Sequence, residues 1–175
     1  MFELETGRLH LREFTLDDVP ALVALDSDPE VMRYIGRGVT YTPDQTEAAV
    51  HRMLEHYRRH GYGMYALVYK PEDVVIGRCG FKFWEELGRV EIGWLVARAY
   101  WGQGLAYEAA QPVMAYGFEQ QNFSEIIAII DRPNLASSKL AEKLGMRFER
   151  ELDFGYKTPD CYRIDRAEFF RRKVF

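Results

Sequence analysis

Between Gly63 and Val96 the chain offers three segments rich in β-branched and aromatic residues, GMYALVY, VVIGRCGFKFW and RVEIGWLV, separated only by the turn segments KPED and EELG. Strands this closely spaced leave no room for a crossover, so an antiparallel meander is expected. The next two segments break that pattern. YWGQGLAYEAA opens a helix that should run to about Glu119, and SEIIAIID then returns as an isoleucine-rich strand. Strand, helix and strand in that order imply a crossover and a parallel pair within an otherwise antiparallel sheet.

The flanking segments fit around this arrangement. GRLHLREF alternates through Leu9, Leu11 and Phe14 and reads as a first strand, after which Thr15 can cap a helix from Leu16 to about Leu25. TPDQTEAAVHRMLEHYRRHG carries a full helix signature: Thr42 and Gln45 as a capping box, Pro43 at the first helical position, Val50, Met53, Leu54 and Tyr57 on one face, and Gly61 as the stop. NLASSKLAEKLG reads as a helix from Asn134 to Gly145, and MRFEREL with CYRIDRAEFF as a closing hairpin. The edge of that hairpin in CYRIDRAEFF can either pair with a second subunit or, through its alternating charges, resist pairing, so monomer and homodimer both stay open. Pro112 lies inside the helix after the glycines, and a bend near Glu108 is expected.

Length and composition bound the class. A chain of 175 residues with 47% apolar and 29% charged residues can form one compact domain over 1–175 without metal or disulfide staples. The net charge of -4 gives no global field for nucleic acid and mildly suits cationic partners. No apolar run is long enough to span a membrane, and the amino terminus lacks a secretory pattern, so a cytoplasmic location is expected. Cys79 and Cys161 fit no zinc spacing, and the basic tail RRKV reads as a solvated end. His56 and His60 are four apart on a helix but have no evident third ligand, so they are read as a solvated face and no metal is expected.

Two features carry chemistry. In WGQGLA, glycines at 102 and 104 precede a helix start, whose free N-H groups and partial positive charge suit a phosphate. The same glycines also make an ordinary turn. Neither common nucleotide fingerprint fits, because Tyr107 stands where a third glycine would be needed and no G-K-[ST] is present after it. In VEIGWLV, alternation puts Val90, Ile92, Trp94 and Val96 on one face and Glu91, Gly93 and Leu95 on the other. A buried Glu91 would have a raised pKa suited to a general base; it would equally serve as a partner for a nearby Arg.

Taken together, TGRLHLREF, DPEVMRYIG, VIGRCGF, EIGWLV, YWGQGLAYEA and NLASSKLAEKLGM, spread from about Leu4 to Phe169, resemble the GNAT superfamily of acyl-coenzyme A N-acyltransferases, in particular its RimJ/RimL branch. The resemblance implies an α+β, three-layer fold, with a mixed, mostly antiparallel sheet of about six to seven strands, about four helices and a splayed central parallel pair. It implies acetyl-CoA as co-substrate, its pyrophosphate cradled by the amides of Gly102, Gln103, Gly104, Leu105 and Ala106. Trp101 replaces the Gln or Arg usual in that pattern. The main chain of Trp94, Leu95 and Val96 would bond the pantetheine arm, with an N-H near Leu95 polarising the thioester carbonyl. Asn134 and Ser137 match the N-x-x-S of this branch, as a pantetheine contact and a hydroxyl near the sulfur. Asn134 is also a good helix cap, and Ser137 could be a bystander. The tyrosine that many members use as an acid is replaced here by Ala141, which leaves Ser137, or water, to protonate the thiolate.

The resemblance further implies an amine acceptor, with Glu91 as base through a water and Ser137 as the candidate acid. At pH 7 the neutral fraction is about 0.1 for an α-amine and about 0.0004 for a lysine, from reference pKa values of roughly 8 and 10.4. The groove for the acceptor is expected between the first two helices and the closing hairpin, where MRYIGRG, Tyr156 and Tyr162 either line it or pack in the core, the commoner place for aromatics at such spacings. A non-catalytic acyl-CoA sensor is the competing reading.

Overall fold

The computed structural model describes residues 2–172. Its strands are β1 (Glu3–Glu5), β2 (Leu9–Arg12), β3 (Met64–Tyr69), β4 (Val74–Trp84), β5 (Arg89–Val96), β6 (Glu125–Ile130), β7 (Arg147–Glu151) and β8 (Asp160–Asp165). Its helices are α1 (Val19–Asp26), α2 (Pro29–Met32), α3 (Pro43–His60), α4 (Leu105–Glu119), α5 (Leu135–Lys143) and α6 (Arg166–Arg172). The strands form a single mixed sheet in the order β1-β2-β3-β4-β5-β6-β8-β7. All neighbours are antiparallel except β5 and β6. Helices α1 and α3 cover one face through Leu22, Leu25 and Val50, and α4 packs on the other through Ala109, Val113 and Phe118.

Local chemistry explains the firmest boundaries. At α3, Thr42 Oγ1 accepts from the Gln45 N-H at 3.3 Å, Gln45 Oε1 accepts from the Thr42 N-H at 2.9 Å, and Gly61 ends the helix at φ 75°. Helix α4 runs unbroken through Pro112, which gives the Glu108 carbonyl no N-H partner.

The described residues hold eight strands and six helices, more than the sequence pattern implies, because the three-residue β1, four-residue α2 and seven-residue α6 are too short to show a period. The closing hairpin also departs from expectation. CYRIDRAEFF leaves the strand at Asp165, where Asp165 Oδ1 accepts from the Glu168 N-H at 2.8 Å and starts a helix at Arg166. Strand β8 inserts between β6 and β7, so the edge at this end of the sheet is β7, exposed along its length, and not the CYRIDRAEFF segment. Of the tail RRKV, Arg171 and Arg172 are exposed, and Lys173 and Val174 lie outside the described residues.

The parallel pair sets the site. β5 and β6 share one register position, Glu91 opposite Ile127, and then separate. Two residues back toward the closed end, Arg89 Nε bonds Glu125 at 2.5 Å and its Nη1 bonds Glu149 at 2.6 Å, while Arg163 bonds Glu125 at 2.6 Å. Burial pushes the Glu125 pKa up, but the two guanidinium bonds outweigh it, and the Glu149 pKa is lowered mainly by Arg89. Both folded-state values lie below the ordinary 4.5, so this network stabilises above that pH and its contribution is lost as pH falls through the lowered values. Arg89→Leu is expected to cost on the order of 2 kcal/mol at pH 7 in urea unfolding, with the penalty shrinking below about pH 4.

Candidate active site

A cavity of about 970 Å³ opens where β5 and β6 part, lined by both strands, by α2 and α3 on one side and by the starts of α4 and α5 on the other. The Ala97 N-H bonds the Ile76 carbonyl directly opposite, at 2.7 Å. Alternation therefore turns the polar main chain of Leu95 and Gly93 toward β4 and that of Trp94 and Val96 toward the gap. The gap-facing N-H groups near Leu95 thus belong to its two neighbours. The Val96 carbonyl is already bonded by the Trp101 indole at 2.6 Å, so the residue that replaces the usual Gln or Arg closes onto the strand edge.

At the mouth of the gap, Gly102 and Gly104 hold left-handed φ values of 75° and 77°, and a Cβ added to either would meet nothing within 4 Å. A side chain at either position would be strained there. Among the described residues, no protein acceptor takes the amides of Gln103, Gly104, Leu105 or Ala106. The loop is braced from behind. Glu108 accepts from Thr6 Oγ1 at 2.7 Å and from the Arg8 N-H and Nε, each at 2.8 Å, and Arg8 also bonds the Gln103 carbonyl at 2.9 Å. These two residues were silent in the sequence, because nothing local links positions about a hundred apart.

Side chains divide the cavity. On the α3 face of β5, Glu91 Oε2 accepts from Trp84 Nε1 at 2.5 Å. Lys82 stands directly across from Glu91, with Nζ 3.4 Å from the Trp84 ring centroid, and Phe154 stacks on the same indole at 5.4 Å. Burial raises the Glu91 pKa, against the opposing effects of the Trp84 bond and Lys82. Burial lowers that of Lys82, with Glu91 opposing. Lys82 was missed in the sequence, although counting back from the EELG turn aligns Trp84 with Arg89 and hence Lys82 with Glu91. Beside Glu91, Gly93 leaves the wall open, and Met64 would lie 3.6 Å from a Cβ there.

On the opposite face, the Trp94 indole donates to Ser137 Oγ at 3.2 Å. Asn134 Oδ1 accepts from the Ser137 N-H at 3.2 Å, so it does cap α5; both residues line the cavity.

Several expected lining residues lie elsewhere. Tyr162 is buried in the core at 7% exposure and Tyr156 stacks on Phe154 outside the cavity, whereas Arg33, Tyr34 and Ile35 from MRYIGRG do line it. His56 is not on a solvated face: it contacts the Tyr62 carbonyl through Nδ1 at 2.7 Å and accepts from the Phe83 N-H through Nε2 at 3.2 Å. Those partners fix a neutral ring, and burial lowers its pKa. Both cysteines are free and buried, and among the described residues no group of three or more His, Cys, Asp or Glu could hold a metal. No described helix is long and apolar enough to cross a membrane.

The model of the acetyltransferase (GNAT) domain matches residues 8–147. The chain belongs to the GNAT acetyltransferase family. This GNAT chain is 36% identical over 152 residues to the uncharacterized N-acetyltransferase p20 of Bacillus licheniformis, covering 85% of this chain and 84% of that one. Its fold is similar to that of a GNAT-family acetyltransferase from Bacillus anthracis, with a TM-score of 0.82 at 27% identity over 95% and 99% of the two chains. It also shares its fold with RimL, a ribosomal L7/L12 alpha-N-protein acetyltransferase solved with coenzyme A, with a TM-score of 0.81 at 18% identity over 94% and 98%. The protein is thus an acetyltransferase of a fold that uses acetyl-CoA.

The Trp84 bond can be tested without turnover. Trp84→Phe removes the donor that favours ionised Glu91, so the Glu91 pKa is expected to rise further, as read by 13C NMR titration of the side-chain carboxyl.

Proposed function

We propose that this enzyme is a RimJ/RimL-like N-acetyltransferase that moves an acetyl group from acetyl-CoA to a primary amine by direct attack in a ternary complex. The observation that carries this reading is the division of one cavity by β5, with Glu91 on the α3 face, Ser137 on the α5 side and the unpartnered amides of residues 103–106 at the mouth.

The amides of Gln103 to Ala106 hold the pyrophosphate, aided by the partial positive charge of the fifteen-residue α4. Main-chain groups of Trp94 and Val96 bond the pantetheine arm, and one of their N-H groups polarises the thioester carbonyl. The neutral amine attacks the carbonyl carbon, Glu91 takes the amine proton through a water, and the C-S bond breaks. Ser137 then gives its hydroxyl proton to the departing sulfur and recovers one from Glu91 through water, so the amine proton ends on the thiol. Its oxygen already accepts from Trp94, which leaves its own hydrogen free to point into the cavity.

Thiol release from acetyl-CoA, measured against a panel of amines, tests the reading. Glu91→Gln is expected to lower kcat/KM by about 100-fold and to flatten the acidic limb of the pH profile. Gly104→Val, which forces a β-branched residue to φ 77°, is expected to raise the acetyl-CoA Kd at least about tenfold in calorimetry. Acetyl-CoA binding with no thiol release for any amine would favour a sensor instead.

A further inference from the structure

The acceptor half of the cavity holds cations and carboxylates in near balance. Arg33, Arg52, Arg78 and Lys82 line it with Glu30, Glu91 and Asp131, and Asp26 lies bonded behind Arg78. These cations differ in what neutralises them. Arg78 bonds Asp26 at 2.8 Å, with the two side chains 10% and 1% exposed, and is fully committed to the fold. Arg33 reaches Glu30 at 3.4 Å in an exposed pair. Lys82 faces Glu91 and rests on the Trp84 ring.

Arg52 stands apart. On the same helix, Arg58 pairs with Glu55, and Arg59 lies near Glu55 and Glu85. Among the described residues, no carboxylate lies within 4 Å of Arg52, although its side chain lines the cavity. One turn further along α3, His56 has both ring nitrogens engaged by protein and adds neither a charge nor a base.

We propose that the acceptor is an amine that also bears a carboxylate, which Arg52 holds while the amine lies at Glu91. This rests on the acetyl-transfer reading above and narrows its substrate class. A polyamine would bring a second positive charge toward Arg52, an exposed cation with no carboxylate among the described residues to offset it. An anion gains a charge-assisted, geometrically directed bond to the guanidinium. The carboxylate can belong to a free acidic amino acid or to an acidic residue near a peptide amino terminus.

The test compares matched acceptors in the thiol-release assay: glutamate with glutamine, peptides beginning Ser-Glu-Glu with peptides beginning Ser-Gln-Gln, and spermidine. The acidic member of at least one pair is expected to show a kcat/KM at least about tenfold above its amide counterpart, and spermidine should be the poorest acceptor. The pair that responds identifies the source of the carboxylate. Arg52→Gln is expected to raise KM for that acidic acceptor about 10- to 100-fold with little change in kcat, and to affect its amide counterpart at least several-fold less. Arg52→Lys should recover part of the loss, and the acetyl-CoA Kd should not move.

Better turnover of spermidine than of any acidic acceptor overturns the proposal. So does an Arg52→Gln defect shared equally by acidic and amide acceptors, or one that appears in acetyl-CoA binding. Loss of turnover for every amine, with acetyl-CoA still bound, instead removes the transfer reading itself and this inference with it.

Discussion

A parallel ladder that stops after one register position is the constraint that shapes the site. Pairing β5 fully to β6 would satisfy the main chain of Trp94 and Val96 within the sheet and close the cavity. The strands are instead held together at one end by Arg89, Glu125, Arg163 and Glu149, and diverge from there. Half-buried charges with several mutual hydrogen bonds suit this task, because the network is directional and fixes the angle at which two strands meet, which apolar contact alone would not. The gap leaves strand-like donors and acceptors facing an open space, the arrangement that an extended amide-bearing ligand can complete.

Strand alternation then separates the two side chains proposed to react. Successive side chains of β5 leave the sheet on opposite faces, so Glu91 and the Trp94–Ser137 pair are only three positions apart yet lie on opposite sides of the gap. In the proposed transfer, a reacting carbonyl in the plane of the sheet would meet the base from one side and the hydroxyl from the other without the two groups competing. Burial raises the Glu91 pKa while the Trp84 bond opposes it, so the carboxyl keeps a fixed orientation and an elevated basicity together.

How far this could be read without coordinates depended on the range of each interaction. Thr42, Pro43, Gln45 and Gly61 announced α3 because a cap involves residues three or four apart, and the meander was legible because its turns are short. Glu91 was legible through alternation; Lys82 was missed, although counting around one turn places it opposite Glu91. The insertion of β8 between β6 and β7 was not, since alternation fixes which face a residue occupies and says nothing about which strand lies beside it. The alternation of CYRIDRAEFF misled in the same way: a local cap at Asp165 overrode a pattern that fits strand and short helix alike. The role of His56 depended on Tyr62 and Phe83 closing around it, contacts no helical pattern contains.

Thr6 and Arg8 reach Glu108 and Gln103 across about a hundred residues of chain. The glycine loop therefore cannot take its final shape from its own neighbourhood. Its geometry is set instead through the first two strands, so a change at position 6 or 8 reaches the loop as directly as one beside it.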